Sequence, residues 1–184
     1  FKNIAKGKLY MSNELKSIVY EDIIYKYGAD WTSYLESYEH WGFYWYQQKI
    51  MEGFAEWHKG ETMLEIGVGS GFTSNYCRNK GFKVTTLDID EDKKPDILAN
   101  AVNYEFKGKY DHLMAFEFFE HIPFEESQKI IKKIPTFVKK YVFISLPRNE
   151  KTVFSLDIKL PKINKIKLEW NILTRKIKTE AHHW

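Results

Sequence analysis

An apolar run that passes without interruption into a glycine-rich turn, and from there into a helix-forming stretch, constrains this chain more than any other feature. It reads Met63-Leu64-Glu65-Ile66-Gly67-Val68-Gly69-Ser70-Gly71-Phe72-Thr73. A buried strand feeding a tight turn that opens a helix is half of a βαβ unit, and such units build parallel sheets covered by helices. In a doubly wound sheet of this kind a ligand lies at the carboxyl ends of the strands. Glycines there let the backbone turn sharply and approach the ligand closely. The free N–H groups at the start of the following helix favour a negatively charged ligand group.

The same alternation continues downstream. Strands are predicted at Thr62 to Ile66, Lys83 to Asp88, Asp96 to Leu98, His112 to Phe116 and Tyr141 to Leu146. Helices are predicted from Thr73 to Lys80 and from Phe124 to Lys139, the second broken or kinked by Pro135. Residues 61–149 therefore read as an α/β unit, a Rossmann-like, doubly wound, mostly parallel sheet with helices on both faces. Residues 1–60 are aromatic-rich, with Tyr34, Leu35, Tyr38, Trp41, Tyr44 and Trp45 at helical spacings, and are expected to form a helical cap. Residues 150–184 carry two alternating runs, Phe154 to Leu160 and Ile166 to Ile172, joined by Pro161 to Lys165. They predict a β-hairpin, either an insertion or an incomplete C-terminal part of the same domain.

At 184 residues the chain has the length of one domain that buries its own core. The single cysteine, Cys77, excludes an internal disulfide, no metal-ligand spacing surrounds it, and a reducing cytoplasm is the expected setting. No apolar run is long enough to cross a bilayer, so no membrane partner is expected. The net charge of +3 is too small to imply nucleic acid. From Lys151 onward, however, seven lysines and one arginine face only Asp157, Glu169 and Glu180, which leaves nucleic acid as a less favoured partner than a small molecule.

Spacing selects among ligands. The turn is G-x-G-x-G, whereas the dinucleotide fingerprint places its last glycine one position later, where Phe72 stands, and no Gly-Lys-Ser/Thr follows as in a Walker loop. The turn thus suits a ligand without a pyrophosphate. Seventeen residues beyond Gly71 the second strand ends at Asp88, followed by Ile89 and Asp90. A carboxylate there can accept hydrogen bonds from both hydroxyls of a ribose and repels a 2′-phosphate. The plainer alternative is an acidic, solvated loop of Asp88, Asp90, Glu91 and Asp92.

In these segments the chain resembles the class I S-adenosylmethionine-dependent methyltransferases, in particular the small-molecule group of the type 11/12 kind, over about residues 61–149. The resemblance implies S-adenosylmethionine as cofactor and S-adenosylhomocysteine as product. It implies that Glu65, Gly67, Gly69 and Gly71 frame the methionine portion, that Asp88 holds the ribose, and that Asn100 and Ala101 face the adenine. Val68, Ile89 and Phe116 complete that cofactor set. The family usually has aspartate where Asn100 stands, although an amide also hydrogen-bonds an exocyclic amine. The stretch Tyr110 to Ile122, with Glu120-His121 at its end, and the strand Val142 to Pro147 continue the likeness.

Methyl transfer from a sulfonium is an in-line displacement in which positioning supplies much of the rate. A hydroxyl acceptor also benefits from a nearby base. Glu117 and His121, past the fourth strand, are the expected catalytic residues, while Glu120 is expected to serve the helix start and sheet packing. Tyr44, Trp45, His182 and His183 are expected on the substrate side. Adjacent histidines on an extended segment point to opposite faces, so only one of His182 and His183 enters a pocket, and no further ligands make them a metal site. The expected function is methyl transfer to oxygen or nitrogen of a small-molecule acceptor. An RNA-modifying methyltransferase and a non-catalytic binding module are the alternatives, and the glycine spacing disfavours an NAD-dependent oxidoreductase.

Overall fold

The computed structural model describes residues 15–20, 22–28, 38–54, 58–147, 150–158, 166–173 and 183. In chain order the elements are β1 (Leu15–Tyr20), β2 (Ile23–Gly28), α1 (Tyr38–Phe54), β3 (Thr62–Ile66), α2 (Phe72–Asn79), β4 (Lys83–Asp88), β5 (Ile97–Leu98), β6 (Tyr110–Phe116), α3 (Phe124–Phe137), β7 (Val138–Ser145), β8 (Glu150–Ile158) and β9 (Ile166–Leu173). The described residues up to Leu146, with His183, make one compact unit, and the β8–β9 hairpin belongs to another.

Five strands form the central sheet in the order β5-β4-β3-β6-β7, every pair parallel. The chain leaves β3 towards β4 on one side and later returns to place β6 on the other. That reversal opens a crevice at the carboxyl ends of β3 and β6. Both faces are covered over the central strands β3 and β6, which explains why these read as apolar runs rather than alternations, while β7 at the edge is largely exposed. Side chains of β3 and β6 sort by period two. Leu64, Ile66, Leu113 and Ala115 join Ile130, Ile134 and Phe137 of α3 in one buried cluster. Met63 and Met114 join Met51 of α1, Cys77 of α2, Phe82 and Phe143 in the other. Ile130 is fully buried, a contribution of about 1.5–3 kcal/mol on transfer grounds.

Two sequence expectations are corrected. Among the described residues of the first sixty, Tyr38–Phe54 is helical as expected of the cap, whereas Leu15–Tyr20 and Ile23–Gly28 are antiparallel strands. The reason is local: β2 is β-branched and aromatic, Ile23-Ile24-Tyr25-Lys26-Tyr27, with Tyr25 buried and Ile24 beside it exposed. Pro135 neither breaks nor visibly ends the third helix, which runs on to Phe137. Only the last turn lies beyond it, so a single backbone bond is forgone, and Val138 N–H closes the end on Ile134 C=O. The strand β7 begins at once, three residues earlier than expected. The C-terminal hairpin is borne out, with Ile158 opposite Ile166 and Glu150 opposite Leu173. The turn expected at Pro161 to Lys165 lies outside the described residues.

Candidate functional site

The glycine turn is built by the demands of its backbone. Gly67, Gly69 and Gly71 all have positive φ, at 81°, 53° and 71°. At Gly67 a Cβ would stand 2.9 Å from Cδ2 of Phe118, so the loop after β6 closes on this turn and no side chain fits between them. At Gly69 a Cβ would meet nothing within 4 Å, which leaves open space above the loop. Gly67 N–H donates to Leu87 C=O at 3.0 Å, fixing the turn against the end of β4.

Asp88, at the tip of β4, faces that turn. Its Oδ2 accepts from Val68 N–H at 2.7 Å and its Oδ1 from Asp90 N–H at 2.9 Å. Only 6 % of the residue is exposed, and Lys93 Nζ lies 3.8 Å from Oδ2. The carboxylate thus ties strand tip to glycine turn. Each oxygen still has a second lone pair for a ligand. Beneath the turn, Glu65 is buried and its Oε2 has no hydrogen-bond partner among the described residues. Burial pushes its carboxyl up to about 8, against the opposing effects of Ser74 and Arg78. A buried acid with an unpartnered oxygen suits a cation brought in from outside.

On the far side of the crevice, the backbone of Glu117 takes φ 49°, unusual for a side chain with a Cβ. The conformation is held by Ser145 at the tip of β7. Glu117 N–H donates to both Ser145 C=O (3.2 Å) and Ser145 Oγ (3.1 Å), and the Ser145 hydroxyl donates to Glu117 Oε1 at 2.7 Å. Gln47 of α1 donates from Nε2 to the same Oγ at 3.1 Å. Glu120 is 2 % exposed, its Oε2 has no described partner, and burial, with the nearby Glu117 charge, holds its carboxyl well above the ordinary range. His121 Nε2 lies 3.9 Å from Glu120 Oε1. His183 donates its backbone N–H to Glu120 C=O at 2.8 Å, with its own side chain exposed. Beside this cluster a groove of about 360 Å³ is lined by Gln47, Met51, Phe54, Phe116, Phe143 and Ser145.

The sequence singled out some of the residues gathered here and not others. Glu65, Gly67, Val68, Gly69, Gly71 and Asp88 surround one end of the crevice, and Glu117 and His121 its other rim. Ile89 packs against the α3-side cluster that contains Ala101. Asn100 is buried, with Oδ1 accepting from Val102 N–H and Nδ2 donating to the Tyr25 hydroxyl at 2.8 Å. Tyr44 reaches the glycine turn, its hydroxyl 3.2 Å from Ser70 Oγ and its ring 5.0 Å from Phe72. Trp45 does not: it is more than half exposed and meets Tyr46 edge-on. Consecutive on α1, the two side chains leave the helix about 100° apart, a difference of face that spacing alone could not rank. His182 lies outside the described residues. Gln47 and Ser145 were missed, although the end of the fifth strand was itself legible and Ser145 is its last residue.

Fold, crevice and glycine turn together define an α/β ligand-binding unit of the methyltransferase type. A methyltransferase-domain family profile matches residues 38–179, and the chain belongs to that family. No curated protein sequence matches it. Among solved structures it is similar to a coclaurine N-methyltransferase bound to N-methylheliamine and S-adenosylhomocysteine, at 17 % identity and a TM-score of 0.51 over 66 % of this chain and 39 % of that one. It is also similar to the glycopeptide N-methyltransferase MtfA complexed with S-adenosylmethionine, at 10 % identity and a TM-score of 0.50 over 70 % of this chain and 65 % of that one. Both likenesses are of fold. The chain spans about two fifths of the first protein's length.

Proposed function

We propose that this chain binds S-adenosylmethionine in the crevice between the glycine turn and Asp88, and directs its methyl group to a nitrogen or oxygen of a small-molecule acceptor. The observation that carries this is the pairing of Asp88 with the turn: its carboxylate accepts at 2.7 Å from the N–H of Val68, which lies between the positive-φ Gly67 and Gly69, with open space above Gly69. The chain's residues fit the cofactor. Glu65, buried and unpartnered at Oε2, would face the ammonium end of its methionine portion; Asp88 would take the ribose hydroxyls, with Val68, Ile89, Asn100, Ala101 and Phe116 around the nucleoside and sulfur. When bound, the cofactor supplies an electrophilic methyl carbon on a sulfonium.

The rest of the chemistry falls to residues on the acceptor rim. The apolar groove beside Phe116 and Phe143 would hold the body of the acceptor and exclude water. Glu117, oriented by Ser145 and Gln47, would stand as the base that takes the acceptor's proton, with Glu120 and His121 behind it as a second proton store. Tyr44 would close the acceptor side over the glycine turn, and His183 lies within reach of the Glu120 backbone. With Cys77 as its single cysteine the chain can form no internal disulfide, which is the ground for reading its setting as a reducing, cytoplasmic one. Among the described residues no helix is long and apolar enough to cross a membrane.

Calorimetric titration of the chain with S-adenosylmethionine, S-adenosylhomocysteine and NAD tests the reading. We expect the two sulfur nucleosides to bind and NAD not to; preference for NAD overturns it. Asp88→Ala is expected to weaken S-adenosylhomocysteine by about 1–3 kcal/mol through lost charge-assisted hydrogen bonds. Unchanged affinity would remove Asp88 from the site.

A further inference from the structure

The described side-chain hydrogen bonds of the β1–β2 hairpin converge on two loops of the central sheet. Lys16 Nζ lies 2.5 Å from Asp90 Oδ1 and 2.6 Å from Asp92 Oδ2. The Tyr27 hydroxyl donates to Asp90 Oδ2 at 2.7 Å, and Lys93 Nζ lies 4.4 Å from the centre of the Tyr27 ring. Asn100 Nδ2 donates to the Tyr25 hydroxyl at 2.8 Å. These loops follow β4, which ends at Asp88, and β5, and they carry Ile89, Asn100 and Ala101.

Tyr25 goes deepest. It is 4 % exposed and shares one buried cluster with Leu87 and Ala101, against which Ile89 and Phe118 pack. A flat ring with a polar rim therefore lies among apolar side chains and meets an amide at its edge. A purine is recognised by the same two means, apolar walls and a few placed polar groups. Both polar atoms of Asn100 are engaged in this arrangement.

The hairpin is also built to come away whole. Its pairs run from Leu15 opposite Gly28 to Tyr20 opposite Ile23, a two-stranded sheet separate from the central one. Among the described residues its backbone–backbone hydrogen bonds stay within it, and the bonds that tie it to the central sheet come from side chains. The inward side carries Lys16, Ile18, Tyr25 and Tyr27, while Val19 and Ile24 on the other side are 69 % and 49 % exposed. Its fastening at Lys16 joins a one-third exposed ammonium to the buried Asp90 carboxylate and the solvated Asp92, and is worth about one charge-assisted hydrogen bond.

We infer that Tyr25 is a built-in occupant of the purine seat, held there by the Lys16 and Tyr27 latch on Asp90, and that a purine nucleoside must displace the hairpin to bind. This rests on the reading that the crevice takes S-adenosylmethionine. Binding then selects the open hairpin, and the apparent affinity is the intrinsic one reduced by the open fraction.

The full chain is titrated with S-adenosylhomocysteine as wild type and as Tyr25→Ala, Lys16→Ala and Tyr27→Phe, with amide hydrogen exchange followed across residues 15–28. Lys16→Ala and Tyr27→Phe leave the purine seat itself intact and serve if loss of the Tyr25 ring impairs folding. Each latch variant is expected to bind about 3- to 10-fold tighter, the effect of one lost hydrogen bond on the opening equilibrium. Exchange in the hairpin of the wild type is expected to quicken on adding the nucleoside, because a two-stranded ribbon is marginal alone. Unchanged or weaker binding by both latch variants, or slower exchange in the hairpin, makes it a wall of the site and overturns the inference. Absence of binding by the wild type and all three variants overturns instead the reading of the crevice on which it rests.

Discussion

Single residues at the crevice carry opposing demands of charge and backbone. Gly67 is the clearest: replacement by alanine adds a Cβ 2.9 Å from Phe118 at φ 81°. Gly67→Ala is expected to cost about 1–3 kcal/mol in urea unfolding, and Gly69→Ala, in open space at φ 53°, about 1 kcal/mol. Glu65 sets a pH dependence. Its carboxyl titrates near 8 in the folded chain against an ordinary value of 4.5, so the folded state binds more protons than the unfolded one in between. The stability this confers is fully present below pH 4.5 and declines as pH rises through about 8. Glu65→Gln is expected to flatten that decline when unfolding is compared across the interval. A cationic ligand end favours the ionised carboxylate, so S-adenosylhomocysteine affinity should rise with pH up to about 8, by roughly tenfold per pH unit at most, and Glu65→Gln should lose the dependence. The sequence disclosed Gly67 and Asp88 because each answers to a local rule, backbone chirality in one case and a charge at a strand tip in the other. It did not disclose Gln47 and Ser145, which bond each other from 98 residues apart, Ser145 in turn holding Glu117.

At the scale of elements, the parallel strands and helices were legible because each is bounded by its own signals. A strand buried on both faces is a short apolar run, and an amphipathic helix repeats every third or fourth residue. Leu15–Tyr20 and Ile23–Gly28 were missed because aromatic spacing in the following helix dominated the reading of the whole segment, whereas their own alternation is short. The third helix offers a test. Pro135 withholds a hydrogen bond from its last turns, at the end of the helix that leads into the amino end of β7, away from the crevice. Pro135→Ala is expected to stabilise the chain by about 1 kcal/mol in thermal or urea unfolding. Its affinity for S-adenosylhomocysteine should not change, because the carboxyl ends of the strands lie at the other side of the sheet.

For the molecule as a whole, a ligand that binds only the folded chain raises its stability by mass action. S-adenosylhomocysteine at a hundred times its Kd is expected to add about 2.7 kcal/mol, a rise in Tm of about 5–10 °C in a scanning experiment, while NAD leaves Tm unmoved. That the sheet is parallel and doubly wound was legible from the alternation of the segments. The relation of Tyr25 to Asn100 was not, because it joins residues 75 positions apart through a hydroxyl and an amide that no periodicity marks. One further property follows from the sulfur of Cys77, which has no exposure and whose thiol burial pushes up to about 12. At neutral pH it is neither ionised nor reachable, so an alkylating reagent can modify it only when α2 lifts from the sheet. The speed of that modification in native buffer, set against the speed for an unstructured thiol, measures how often the core breathes.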